Sequence, residues 1–383
     1  MWSNRYTAFA EVPGPHPLPT YCHNHSLHTA YRRYMLDTVL AFQRQQVELI
    51  CAHSAAPISH NSEDSLDEWD VTRDLDVAGI DYYSHHATLE QMLYRLDCQR
   101  ALKPGRRFWL LETNSEGELT DGPFPPGWLE NVALLAYAAG AESISYWPWR
   151  TNRSGAEICG HDGVIHPCGV PTTVWEPARR TAVLRRQLES LLAEFSPAPA
   201  PVAMMRAERN GNAYYVERIA GLKPGFDLHA HLEAHHLAIV RLGAWRDVLY
   251  DQADVTGYKL VITPYLPYTT PEFLVRMRAH LAGGGTWVVG PYTGYLTEHH
   301  TNPLNGLLGD LGKMLDLDVV AWTPVKDLPL TLHDGSAGRA QMRRHAFAPV
   351  AGDEVLGVFG GDRIAGLGPV SEGRRGHGVR PRQ

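Results

Sequence analysis

Four short apolar runs in the first half of the chain each end in groups that can do chemistry. "APISHN" (56–61) ends in His60 and Asn61, "LDVAGIDYYSHH" (75–86) carries Asp81 and Tyr83, and "FWLLE" ends in Glu112. "ESISYWPWR" (142–150) ends in Trp147, Trp149 and Arg150. A carboxylate held rigidly at a strand end can act as a nucleophile, and a second carboxyl group roughly 5–5.5 Å away completes a retaining glycosidase. Sugars also require an aromatic surface for their C–H face and fixed polar groups around their hydroxyls. Glu112 with Trp147, Trp149 and Arg150 supplies part of that set, and Asn61, Asp81, Tyr83, Glu157 and His161 can supply hydroxyl contacts. Taken singly, each has a plainer reading, because Glu is common in loops that follow strands and tryptophans pack cores. Their succession at four strand ends is what points to one site.

The elements that must position these groups alternate. Met35 to Ile50 places Leu36, Val39, Leu40, Phe42, Val47 and Ile50 on roughly one helical face. A helix around Thr88–Ala101 precedes the strand that carries Glu112, and Trp128–Ala139 forms the next helix with Gly140 as its cap. Leu184, Leu188, Leu191 and Phe195 mark one further helix. Strand-then-helix units of this length imply parallel strands, whose carboxyl ends gather reactive groups.

"SPAPAP" (196–201) is a stiff linker and the clearest boundary. Beyond it, "VAMM" (202–205) starts a second sheet and "YKLVITPYL" (258–266) is a buried strand. Thr270 and Pro271 open a helix through Ala282, and "GGGTWVVGPYTG" (283–294) supplies a stop and another strand. Gly283, Gly284 and Gly285 precede that strand, so they form a turn and not a phosphate-cradling loop. His235/His236 and His299/His300 read as surface residues.

With 383 residues, 44% hydrophobic and 20% charged, the chain has the composition of a globular protein of two or three domains. Its net charge of -7 argues against a general nucleic-acid binder. No apolar run approaches the roughly 20 residues of a membrane span. The N-terminus lacks a basic region followed by an apolar core, so no secretory signal is expected. Five scattered cysteines without a CxxC pair suit a reducing cytoplasm and give little support to a structural zinc site. Cys22, His23, His25 and His28 match no common ligand spacing and read as a polar loop leading into a helix.

The chain resembles the β-galactosidases of glycoside hydrolase family 42. The resemblance runs through "WSNRYTAFAEVPGP", "ISHN", "DVAGIDYYS", "FWLLETNSEG" and "SYWPWRTNRSGAE" into "GYKLVITPYLPY" and "LAGGGTWVVGPYTG". It implies an α/β fold: strands five to eight of a (β/α)8 TIM barrel over 1–195, the linker 196–201, and a flavodoxin-like trimerisation domain over 202–349. Residues 350–383 would be a remnant of a C-terminal β domain with an atypical basic tail. By resemblance Glu112 is the nucleophile, Asp81 and Tyr83 match a D-x-Y strand end, and Asn61 matches the preceding strand end. Trp147, Trp149 and Arg150 fall on the segment that shapes the galactose pocket. Glu157 and His161 look like a sugar-contacting pair spaced one residue wider than usual.

The departures are equally specific. The family's acid/base is the Glu of an Asn-Glu pair, and no such dipeptide occurs among the 383 residues. Only four strands precede the linker, whereas a closed barrel takes about 250 residues. The chain is therefore expected to descend from retaining β-galactosidases, to form homotrimers, to need no metal or redox cofactor, and to be weak or inactive alone. Two alternatives are a non-catalytic galactoside-binding or assembly relic, and a preference for α-L-arabinopyranosides.

Overall fold

The computed structural model describes residues 7–11, 14, 24–62, 67–83, 88–116, 123–155, 157–158, 163–194, 197–206, 213–217, 226–348, 354–359 and 365–367. The chain divides into two compact units. One comprises Tyr34–Ala200 with Glu233–Tyr250, the other Met1–Arg33, Pro201–Leu232 and Asp251–Gln383.

The chain order begins with α1 (His25–His53), β1 (Asn61–Ser62), α2 (Glu68–Arg73), β2 (Gly79–Asp81), α3 (Leu89–Leu102) and β3 (Phe108–Asn114). It continues with α4 (Trp128–Ala139), β4 (Ala141–Trp147), α5 (Trp175–Gln187) and α6 (Glu189–Glu194). Strands β1 to β4 form one sheet in sequence order, every neighbouring pair parallel. Ile80, Phe108, Leu110 and Ala141 on this sheet pack with Met92, Leu96, Val132, Ala133 and Ala136 from α3 and α4. Leu110 is fully buried there, so Leu110→Ala is expected to lower stability by about 2–5 kcal/mol, measured by denaturant unfolding.

Local chemistry fixes most boundaries. Thr88 and Gln91 form a reciprocal capping box on α3. Gly140, in the left-handed region, ends α4 as the sequence implies. Helix α1 starts ten residues before Met35 because the Asn24 side chain accepts a hydrogen bond from the Leu27 amide at 2.8 Å. His25 and His28 thus lie in a helix, while Cys22 and His23 lie outside the described residues. The strand expected at 56–61 is shorter. Ile58 and Ser59 do bond to Asp76 and Val77, but regular pairing starts only at Asn61 opposite Gly79. Strand β4 stops at Trp147, before Pro148, which has no amide to donate. The helix expected through Phe195 breaks at Leu188 into α5 and α6, and Phe195 itself lies outside the described residues.

The same unit contains a polar core of its own. Helix α7 (Leu228–Arg241) contributes residues from Glu233 onward, and β6 (Arg246–Leu249) packs on α3. Asp97, on α3, is fully buried. It lies 2.5 Å from Arg100, 2.7 Å from His236 Nε2 and 2.9 Å from Arg246. Glu68 sits in a second cluster, 2.8 Å from Arg95, 3.1 Å from Gln99 and 2.7 Å from the Tyr250 hydroxyl. His236 is therefore not the surface residue its sequence suggests. Burial alone would raise the Asp97 carboxyl, but the His236 hydrogen bond and the Arg100 and Arg246 charges outweigh it and hold the acid below its ordinary range.

In the other unit, β5 (Val202–Met205), β7 (Leu260–Tyr268) and β8 (Thr286–Leu296) pair in parallel in that order. Helix α8 (Pro271–Ala282) connects β7 to β8, capped by the Thr270 hydroxyl with Pro271 at its first position. Gly283 to Gly285 form the turn before β8, as expected. A short helix, α9 (Gly309–Leu315), leads into four antiparallel strands: β9 (Asp318–Leu332), β10 (Ala337–Ala348), β11 (Gly357–Phe359) and β12 (Ala365–Leu367). They close in the order β10-β12-β11-β9. His300 is also buried, with Nδ1 2.8 Å from the Tyr268 hydroxyl, whereas His299 is exposed. Among the described residues no helix is long and apolar enough to cross a membrane.

Candidate active site at the strand ends

The sheet register explains how Glu112 reaches the rim. On the β2 side, Ile80 pairs with Leu110 and Asp81 with Glu112, so β3 carries one extra residue. On the β4 side, Leu110 pairs with Ile144 and Thr113 with Tyr146, again leaving one extra residue on β3. Leu111–Glu112 is thus a bulge against both neighbours, a device that bends a strand and re-aims a side chain. Gly79 makes room for it. A Cβ at Gly79 would lie 2.5 Å from Leu111 Cδ1 and 2.8 Å from the His60 carbonyl oxygen.

Four of the expected site residues come together at this rim. The Tyr83 hydroxyl donates to Glu112 Oε1. Asn61 Nδ2 donates to Asp81 Oδ2 at 2.6 Å, and the Tyr82 amide donates to the Glu112 carbonyl at 2.9 Å. Burial, first, and then the hydrogen bond to Glu112 push the Tyr83 hydroxyl well above the ordinary tyrosine range. The charges of Glu112, Asp81 and Glu157 add to that shift. Tyr83 therefore stays protonated and remains a donor to the carboxylate throughout the working pH range.

The next strand end presents aromatic surface. Trp147 is 37% exposed and Trp149 57% exposed, and Trp149 lies 6.0 Å from Trp175, ring centre to ring centre. Exposure of two tryptophans at one rim removes core packing as a full account of them. Arg150 is exposed and pairs through its backbone with Ile165. Glu157 is exposed and accepts from Asn152 Nδ2 at 3.2 Å. His161 lies outside the described residues. Among the described residues no group of three His, Cys, Asp or Glu side chains is arranged to hold a metal.

Sequence reading missed two parts of this geometry. The bulge has no residue signature of its own, since it arises from pairing with two neighbours. The brace behind Arg150, in which Thr151 Oγ1 accepts from the Gly163 amide at 2.8 Å and the Thr172 hydroxyl donates to the Gly163 carbonyl, joins residues 9 to 12 apart. Gly163 was its one visible clue: a Cβ there would lie 2.4 Å from the Thr151 nitrogen.

The chain is similar to known proteins along most of its length. The beta-galactosidase model of glycoside hydrolase family 42 matches residues 1–188, and the beta-galactosidase trimerisation domain model matches residues 197–379. Beta-galactosidase YesZ of Bacillus licheniformis is 33% identical over 319 residues, 82% of this chain and 47% of that protein. The Bacillus subtilis YesZ is 32% identical over 334 residues, 85% of this chain and 49% of that protein. The crystal structure of the beta-galactosidase from Rahnella sp. R3 superposes with a TM-score of 0.80 at 25% identity, covering 94% of this chain and 56% of that one. The chain spans about half the length of the relatives it matches. With both of its halves matched in order, the chain belongs to glycoside hydrolase family 42.

Proposed function

We propose that this chain carries the nucleophile half of a retaining β-galactosidase site, with Glu112 as the nucleophile. The observation that supports it most is the bulged strand end at which Tyr83 donates to the Glu112 carboxylate. Glu112 attacks the anomeric carbon of a terminal β-D-galactosyl residue while the leaving oxygen takes a proton, and water then releases galactose with overall retention. Tyr83 fixes the carboxylate's orientation. Asn61, Asp81, Arg150, Glu157 and His161 bind hydroxyls, and Trp147 and Trp149 pack on the C–H face of the sugar. No cofactor enters this chemistry.

The 383 residues contain no Asn-Glu pair to protonate the leaving group. A leaving group that departs without a proton escapes this requirement, whereas a poor one does not. Stopped-flow and steady-state assays should therefore show galactosyl transfer from 2,4-dinitrophenyl β-galactoside and little from methyl β-galactoside. Equal rates on both would overturn the missing-acid part of the proposal. Tyr83→Phe removes a hydrogen bond to a charged group, about 1.5–3 kcal/mol, so the dinitrophenolate release rate is expected to fall roughly ten- to hundredfold.

We further infer homotrimer assembly, supported by the trimerisation-domain match over residues 197–379, and action in the cytoplasm, supported by the odd and scattered cysteines. Sedimentation equilibrium on the full chain tests the assembly: a mass of three chains is expected, and a monomer at micromolar concentration contradicts it.

A further inference from the structure

A nucleophile outside the galactoside site has its own base. His166 and Cys168 occupy a tight turn between Ile165 and Pro171, which bridge to each other. The Gly169 amide donates to the His166 carbonyl at 2.8 Å, and the His166 amide donates to the Val170 carbonyl at 2.9 Å. Within this turn His166 Nδ1 lies 2.9 Å from Cys168 Sγ. The Cys168 backbone amide also points at Nδ1, at 3.3 Å. A backbone N–H can only donate, so Nδ1 is the unprotonated nitrogen and faces the thiol as a proton acceptor. Both side chains are exposed. A thiol in contact with a base and open to solvent meets the requirements for an activated nucleophile, and no retaining-glycosidase step uses it.

We propose that Cys168 and His166 form a reactive thiol site, open to covalent modification by soft electrophiles and low-molecular-weight disulfides. With a haloacetamide, His166 Nδ1 takes the thiol proton and Sγ attacks the halogen-bearing carbon. The S–C bond forms, the C–I bond breaks, and iodide leaves. With a disulfide, Sγ attacks one sulfur to form a mixed disulfide, and the other sulfur leaves as a thiolate that takes the proton from His166. Cys168 is thereby oxidised and half of the small disulfide reduced.

The turn lies beside the strand-end rim, since the Cβ position of Gly169 is 3.8 Å from an Arg150 guanidinium nitrogen. The thiol chemistry itself does not depend on the galactosidase reading.

The chain supplies its own controls, because Cys51 is exposed and Cys98 is buried. Native full-length protein is treated with iodoacetamide near pH 7, and each cysteine is followed over time by peptide mass spectrometry. Cys168 is expected to react about tenfold faster than Cys51, while Cys98 stays unmodified until denaturant is added. His166→Ala should bring Cys168 to the rate of Cys51, with the circular dichroism spectrum unchanged. Glutathione disulfide should give a mixed disulfide at Cys168, reversible by dithiothreitol. Equal rates at Cys168 and Cys51, or a Cys168 rate indifferent to His166→Ala, would overturn the proposal. If His166→Ala disturbs the spectrum, the wild-type comparison of Cys168 with Cys51 decides the matter alone.

Discussion

Glu112→Gln is expected to abolish the release of dinitrophenolate from an activated β-galactoside, by roughly a thousandfold or more. On the proposed assignment, the substitution replaces the anionic carboxylate with a neutral amide that is too weak a nucleophile to form the covalent intermediate, and the residual rate then comes from binding. Its effect on folding should be small. Glu112 is half-buried, and a glutamine oxygen in its place still accepts from Tyr83, so unfolding free energy is expected to change by about 1 kcal/mol or less. Rate loss without stability loss separates a nucleophile from a residue that merely closes a strand. A Glu112→Gln chain that retains a tenth of its activity would remove Glu112 from the chemistry.

Asp97→Ala is expected to have the reverse signature: a large loss of stability, with activity falling only as the folded fraction falls. Asp97 is fully buried against Arg100, Arg246 and His236, and removing it takes the carboxylate from Arg246 in the core and leaves Arg100 with Asp247, 3.0 Å away. Breaking a buried pair from one side costs about 3–5 kcal/mol, which for a unit of this size lowers Tm by roughly 10 °C or more. The pH dependence has a definite sign. The Asp97 pKa is lowered in the folded state, so the unfolded chain takes up its proton first as pH falls. Its contribution is fully present above the unfolded carboxylate value of about 4 and is lost as pH drops through the lower folded value. Melting temperatures between pH 6 and 3 should therefore fall more steeply for the wild type than for Asp97→Asn.

The elements legible in the sequence are those whose signals are local. Thr88 with Gln91, Gly140 after α4, and Thr270 with Pro271 each declare a helix end within four residues, and the helices begin or stop there. Apolar runs likewise mark β3 and β7 to within two residues. What escaped depends on partners far along the chain. Helix α2 buries Glu68, Asp70 and Thr72, a pattern that reads as solvated surface until Arg95, Gln99 and Tyr250 enclose Glu68. His236 looks like a surface residue because its partner, Asp97, is 139 residues away.

The candidate site divides in the same way. The residue types at the rim were visible as strand-end chemistry, and Asn61, Asp81, Tyr83 and Glu112 do meet there. The bulge that turns Glu112 and the glycine that admits it are properties of three strands paired together. No single run of sequence contains them.

The most direct test is to identify the residue that carries the sugar. The full chain is incubated with 2-deoxy-2-fluoro-β-D-galactosyl fluoride, whose fluoride leaves without help from an acid and whose fluorinated ring slows hydrolysis of the intermediate. The product is digested and sequenced by tandem mass spectrometry. A galactosyl ester on Glu112, absent from Glu112→Gln, is the expected result. A label on Asp81, Glu157 or any other residue, or no label at all, would contradict the assignment of Glu112 as the nucleophile.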